Sequence, residues 1–229
     1  VTGGALTNSL LVTAIFTLIS VPVSLAIGLV LATQLVRALP GSAIVRVIVV
    51  IPWVCAPLAL GVVWKWIFQP SVGALNQILG VRIEWLTDPT LALPAVAFVA
   101  IWQNVGYISL FFQAGLSRIP GSIYEAARID GANAGQQLWF MTIPLLRPTT
   151  FFLSITVLLN SFQVFDVINA MTRGGPFTYG TTTMVFDIYW QTFRNQRAGY
   201  GATIATIMFL VLLIVTVVQV RMMDRGDDK

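Results

Sequence analysis

The sequence predicts an all-α integral membrane protein, a bundle of transmembrane helices with five spans in this chain. Two observations carry that expectation. Hydrophobic residues make up 57 % of the 229 residues and charged residues only 10 %, whereas a soluble domain carries about 25 % charged residues. The charges are also clustered, and most of the stretches between them can cross a bilayer, which takes roughly 20 residues. In hydrocarbon a spanning segment must satisfy its backbone polar groups internally, so each span should be a helix. A soluble domain with a large core is excluded.

The spans follow in order, within a single domain over 1–229. Span 5–36 is uncharged and contains Pro22 and Gly28. Span 47–68 holds Pro52 and Pro57, with Lys65 near its end. Each proline removes a helical hydrogen bond, so one kinked helix is expected there. Span 91–116 is uncharged. Span 149–170 is uncharged up to Asp166, which is expected to cap an outer helix end or bond within the loop. Span 200–221 stops at Arg221. Gly28 with Ala32, and Gly201 with Ala205, have the small-xxx-small spacing that allows close helix contact.

The connections alternate sides. One set holds Arg37, Arg46, Arg118, Arg128, Arg147, Arg221, Arg225 and Lys229; the other holds Lys65, Arg82, Arg173, Arg194 and Arg197. The positive-inside rule puts the first set, and the C-terminus, in the cytoplasm. Five spans then put Val1 outside. A sixth span ahead of Val1 is expected; the alternative is a protein of five spans. The outer loops are 69–90, with Gly73, Gly80, Glu84 and Asp88, and 171–199. The second opens with the turn Arg173-Gly174-Gly175-Pro176. It continues through Thr181-Thr182-Thr183 to Phe186, Tyr189, Trp190 and Phe193, read as a short helix on or dipping into the outer face.

Several chemistries are excluded. The net charge of +4 sits at span ends, with no phosphate-neutralising cluster, so no nucleic-acid partner is expected. The chain has no histidine, which removes His-based catalysis, His metal sites and His proton relays. Its single cysteine, Cys55, cannot form an internal disulfide. Neither of its two lysines follows a glycine-rich phosphate-binding loop, and no ionisable residue lies near a span centre, where a proton- or sodium-coupled carrier would keep one.

The cytoplasmic loop 118–148 stands apart. Ser122 with Glu125 reads as a capping box starting a helix at Ile123. Gly131 can end that helix in the left-handed conformation. Asn133 with Gln136 repeats the capping pattern and starts a second short helix, which Pro144 and Pro148 are expected to end. Two capped helices make a rigid knob for a partner.

These residues also resemble a family. Glu125-Ala126-Ala127, Asp130-Gly131-Ala132, Ile143-Pro144 and Pro148 resemble, in type and spacing, the EAA motif of ABC importer permeases. Ile51-Pro52-Trp53, Ile119-Pro120 and Met171-Thr172-Arg173-Gly174-Gly175-Pro176 extend the likeness to the carbohydrate-uptake group of type I importers, which includes the maltose and glycerol-phosphate systems. Met141, Leu138 and Gly135 depart from the usual pattern around the second helix. The resemblance implies a permease that moves solute by alternating access and catalyses no covalent chemistry. It implies a second, homologous permease, two copies of an ATPase subunit that carries the ATP and magnesium, and an extracytoplasmic solute-binding protein. No cofactor is then expected on this chain, and the location is the cytoplasmic membrane of a bacterium or archaeon. Coupling to the ATPase falls to Tyr124, Glu125, Ala126, Ala127, Asp130, Gly131 and Ala132.

Polar residues inside spans are costly unless paired or wetted, so they mark a candidate solute path. They are Gln103, Asn104 and Tyr107 in the third span, Asn160, Ser161 and Gln163 in the fourth, and Trp53 beside Pro52. The resemblance implies a solute site at Trp53, Gln103, Asn104, Tyr107 and Ser161. The competing reading is that the amides bond helix to helix. Amides, hydroxyls and rings suit a carbohydrate or related polyol, and no span centre offers an arginine for a phosphate. Glycerol 3-phosphate or a glycerophosphodiester is the alternative solute, and a passive channel the alternative class.

Overall fold

The computed structural model describes residues 2–36, 41–175 and 180–227. All their regular structure is helical: α1 (Thr2–Leu35), α2 (Ser42–Val54), α3 (Pro57–Ile67), α4 (Ala74–Leu79), α5 (Ala92–Leu116), α6 (Gly121–Ile129), α7 (Ala134–Gln137), α8 (Ile143–Leu145), α9 (Arg147–Phe162), α10 (Asp166–Met171), α11 (Met184–Tyr189) and α12 (Ala198–Asp227). π-Helical turns at Leu138–Thr142 and Trp190–Arg194 follow α7 and α11.

Four segments are long and apolar enough to cross a membrane: Ala5–Leu35, Ala92–Leu116, Arg147–Met171 and Ala198–Met222. The fifth expected span, 47–68, is not one kinked helix. It is α2 and α3, bent by 99°. Pro52 stays inside α2. The break comes at Cys55 and Ala56, both extended, because Pro57 forces the residue before it out of the helical region. Pro57 then starts α3, where its missing N–H costs nothing.

α5 lies at the centre, against α1, α2 and α9. Its smallest residue allows the closest approach: a Cβ on Gly106 would lie 2.2 Å from the Val49 carbonyl oxygen of α2. Gly28 of α1 is similarly pressed on Ile108 of α5, and Ala32, one turn further on, is fully buried. Gly201 abuts Thr192.

The loops 69–90 and 171–199, expected on the outer side, are pinned by their polar residues. Buried Asn76 donates to the carbonyls of Pro70 (3.1 Å) and Ile83 (2.8 Å) and accepts from the Trp85 indole (2.8 Å). Asp88 accepts from the hydroxyl and N–H of Thr90, which hold its carboxyl below its ordinary range. The threonine run is a set of staples. Thr181 bonds Thr172, Thr182 donates to the Gly174 carbonyl, Thr183 donates to the Val164 carbonyl, and Thr13 of α1 accepts from the Met184 N–H. The expected aromatic helix is α11 with its π turn, and its rings pack on Phe165. Pro176 of the glycine turn lies outside the described residues.

Candidate functional site

Two breaks in the helices meet at one cavity. The first is the bend at Cys55–Ala56. The second is 163–165, between α9 and α10. α3 packs tightly on α10, where Gly61 leaves no room for a Cβ beside Ala170. Irregular backbone is tolerated inside a membrane protein where it is buried or lines a cavity. The cavity holds about 260 Å³ and is lined by Trp53, Gln103, Asn104, Asn160, Ser161 and Gln163. Six of the seven path residues read from sequence thus come together from three segments distant in the chain. The seventh, Tyr107, stands behind the wall, its ring stacked on Trp53 at 5.0 Å between centroids.

Their bonding separates them. Gln103 is buried and donates to the Cys55 carbonyl (3.4 Å). It thereby serves a group left unpaired where α2 stops, the helix-to-helix use of an amide. Ser161 pairs with Ser20 of α1 at 3.1 Å. Asn104 spends its N–H on the Ala100 carbonyl of its own helix (2.8 Å), leaving its oxygen for the cavity. Asn160 and Gln163 are exposed and make no side-chain hydrogen bond among the described residues.

Three polar lining residues escaped the sequence reading. Ser20 and Ser24 are buried in α1; as single serines in an apolar run they gave no signal except their spacing of four, which puts them on one helix face. Asp166 is the third. Among the described residues it caps nothing and its side chain makes no hydrogen bond in the loop. It opens α10, exposed, at the cavity wall. No cationic side chain lines the cavity among the described residues.

The second region is the loop between α5 and α9. α6 starts at Gly121 with extended Pro120 as its N-cap, and no side chain caps it. The expected Ser122–Glu125 capping box is therefore absent, because the proline starts the helix before Ser122 can act as N-cap. The helix ends as expected. Gly131 has φ +83°, the Ala132 N–H reaches the Ala127 carbonyl (2.9 Å), and the Gly131 N–H reaches that of Arg128 (3.1 Å). This is the two-bond Schellman closure. The second capping box is present in both directions, Asn133 accepting from the Gln136 N–H and Gln136 from the Asn133 N–H. Pro144 and Pro148 do not end this helix. They sit in the first turns of α8 and α9, where a proline needs no partner.

α6 divides its residues between two faces. Ala127 is 1 % exposed, and the half-buried Tyr124 ring is held by a bond between its hydroxyl and that of Thr142 (3.1 Å). Glu125, Ala126, Asp130 and Gly131 are exposed, and Ala132 is half-buried. Ile129, which the sequence reading passed over as one more apolar residue, is 86 % exposed beside them. α5 links the two regions: Gln103 precedes Ser117 by 14 residues, about 20 Å of helix.

Residues 5–226 match the family model described as binding-protein-dependent transport system inner membrane component. The chain is 36 % identical over 222 residues to the sn-glycerol-3-phosphate transport system permease protein UgpA of Agrobacterium fabrum, covering 95 % of this chain and 75 % of that protein. It is 35 % identical over 221 residues to the sulfoquinovosyl glycerol transport system permease protein SmoG of the same organism, covering 94 % and 71 %. Among solved structures, it superposes with a TM-score of 0.87, at 22 % identity, on a chain of a bacterial ABC transporter involved in the import of the acidic polysaccharide alginate, covering 96 % of this chain and 79 % of that one. A second structure of the alginate transporter, in complex with an alginate pentasaccharide-bound periplasmic protein, gives the same score.

Proposed function

The chain belongs to the family of binding-protein-dependent transport system inner membrane components, and we propose that it is the translocating subunit of an ATP-driven importer for a carbohydrate or related polyol. The cavity at the two helix breaks is its half of the solute path. A second, homologous permease supplies the other half, and an extracytoplasmic binding protein delivers solute to the outer loops. Two copies of a partner ATPase bind the ATP and magnesium; this chain carries no cofactor. The loop between α5 and α9 lies in the cytoplasm with the C-terminus, in the bacterial or archaeal plasma membrane.

The observation that carries this reading is the exposed face of α6. Glu125, Ala126, Ile129 and Asp130 stand outward on a helix locked by the Gly131 closure at one end and by the Tyr124–Thr142 bond at its side. Small residues permit close approach, Ile129 can fill a pocket, and Glu125 can pair with a basic group across the interface. When ATP closes the partner ATPases, the loop moves with them. α5 and α9, rooted in the loop, carry that motion to the cavity they line.

In the cavity, Asn104, Asn160 and Gln163 offer amides to hydroxyl groups and Trp53 offers a ring face. The lack of a lining cation among the described residues favours a neutral solute. Glycerol 3-phosphate or a glycerophosphodiester is the second reading, favoured by the likeness to UgpA; the second permease would then supply the positive charge. Uptake of labelled solutes by proteoliposomes holding the complete importer tests both. ATP-dependent uptake competed by neutral sugars is expected. Competition by glycerol 3-phosphate alone selects the second reading, and transport without ATP overturns both.

A further inference from the structure

Trp139 and Phe140 are two large aromatic side chains left uncovered in the loop, away from the helix α6. They are 67 % and 76 % exposed, and neither makes a ring contact among the described residues. They lie on the π turn Leu138–Thr142, a geometry found frequently at functional positions. Phe140 also begins a stripe. Phe140, Pro144, Pro148 and Phe152 are all exposed at steps of four, while Thr142, Leu146 and Leu153 are buried. The stripe runs from the loop into the membrane-spanning helix α9 without a gap. No charged residue occurs from Ala132 to Leu146. In sequence this stretch is flanked by Arg118, Arg128 and Arg147, all exposed, against the acids Glu125 and Asp130.

We infer that Trp139 and Phe140 seat in the headgroup layer of the cytoplasmic leaflet and anchor the coupling loop to the bilayer. The inference rests on the cytoplasmic placement of the loop argued above. Tryptophan concentrates at that layer, with its apolar body in the acyl boundary and its indole N–H towards water, and Phe140 adds apolar ring area beside it. The arginines that flank the loop in sequence suit the anionic lipids of that leaflet. α6 offers its outward face to the ATPase, and the π turn, set off from α6 by the Asn133 cap, takes the lipid. A loop held at both places pivots on the membrane instead of sliding freely with the ATPase.

The test uses the complete importer in nanodiscs of phosphatidylethanolamine and phosphatidylglycerol. Cys55→Ser removes the one native thiol of this chain, and Trp139→Cys, Phe140→Cys or Ile129→Cys, labelled before assembly with the other subunits, then carries a nitroxide. At 139 and 140, lipid-soluble oxygen should relax the label more strongly than a water-soluble nickel chelate. At 129, protection from both reagents should appear only with the ATPase bound. Stronger relaxation by nickel at 139 and 140 overturns the anchor, since the rings then face water. Protection from both reagents there also overturns it, since the ATPase or the second permease then covers them. If the ATPase fails to associate, the proposed function is in trouble, yet the labels at 139 and 140 still decide the anchor.

Discussion

Replacing Gly131 separates the shape of the coupling loop from its contact with a partner. The residue has φ +83°, and an added Cβ would meet nothing within 4 Å. Within this chain, then, the cost of any substitution is conformational. Holding an ordinary L-residue in the left-handed region costs roughly 1–2 kcal/mol, so Gly131→Ala weakens the Schellman closure by about five- to thirty-fold. Asn visits that region routinely, so Gly131→Asn should cost well under half as much. Gly131→Trp has the same local cost as Ala but adds bulk that only a docked partner would feel. All three variants should insert and fold. Binding-protein-stimulated ATP hydrolysis in proteoliposomes should stay near wild type for Asn, fall severalfold for Ala and be lost for Trp. Full stimulated hydrolysis in the Trp variant would refute the docking role. Equal activity in Ala and Trp would reduce Gly131 to a helix stop.

Three further outcomes follow from the geometry. Trp53→Ala removes the stack on Tyr107, worth roughly 0.5–1.5 kcal/mol, and should weaken solute uptake up to about tenfold while basal ATP hydrolysis is unchanged; unaltered uptake would take Trp53 off the path. Gly106→Leu must push α2 away from α5 and should lower the thermal midpoint in detergent by the equivalent of roughly 1–3 kcal/mol or more, whereas Gly199→Ala, with nothing within 4 Å of the new Cβ, should leave it in place. Asn133→Ala removes a capping box worth about 1 kcal/mol and should speed amide exchange at Gln136 and Gln137; unchanged exchange would mean the cap contributes nothing.

The long helices were legible because hydrocarbon leaves them little choice: uncharged runs between arginines must be helical. The break at Cys55 was harder. Two prolines five residues apart suggested one kinked helix, and the sequence did not say that Pro52 would be absorbed while Pro57 would turn the chain. Ser122 and Glu125 had the spacing of a capping box, but Pro120 starts the helix earlier. Asn133 has no such competitor, and its cap is present. At the cavity, amides stood out against an apolar background. Ser20, Ser24 and Asp166 did not, because a serine passes unnoticed in a span and an acid near a helix end reads as a cap. Ile129, Trp139 and Phe140 were hidden for the opposite reason: only the fold distinguishes an exposed apolar side chain from a packed one.

A photo-crosslinking residue at Ala126, in the outward face of α6, addresses the coupling assignment most directly. Irradiation of the complete importer should join this chain to the ATPase subunit, with a yield that changes when ATP is bound and falls when Gly131→Trp is added. Crosslinking only to lipid or to the second permease, or a yield indifferent to ATP and to the Gly131 change, would contradict it.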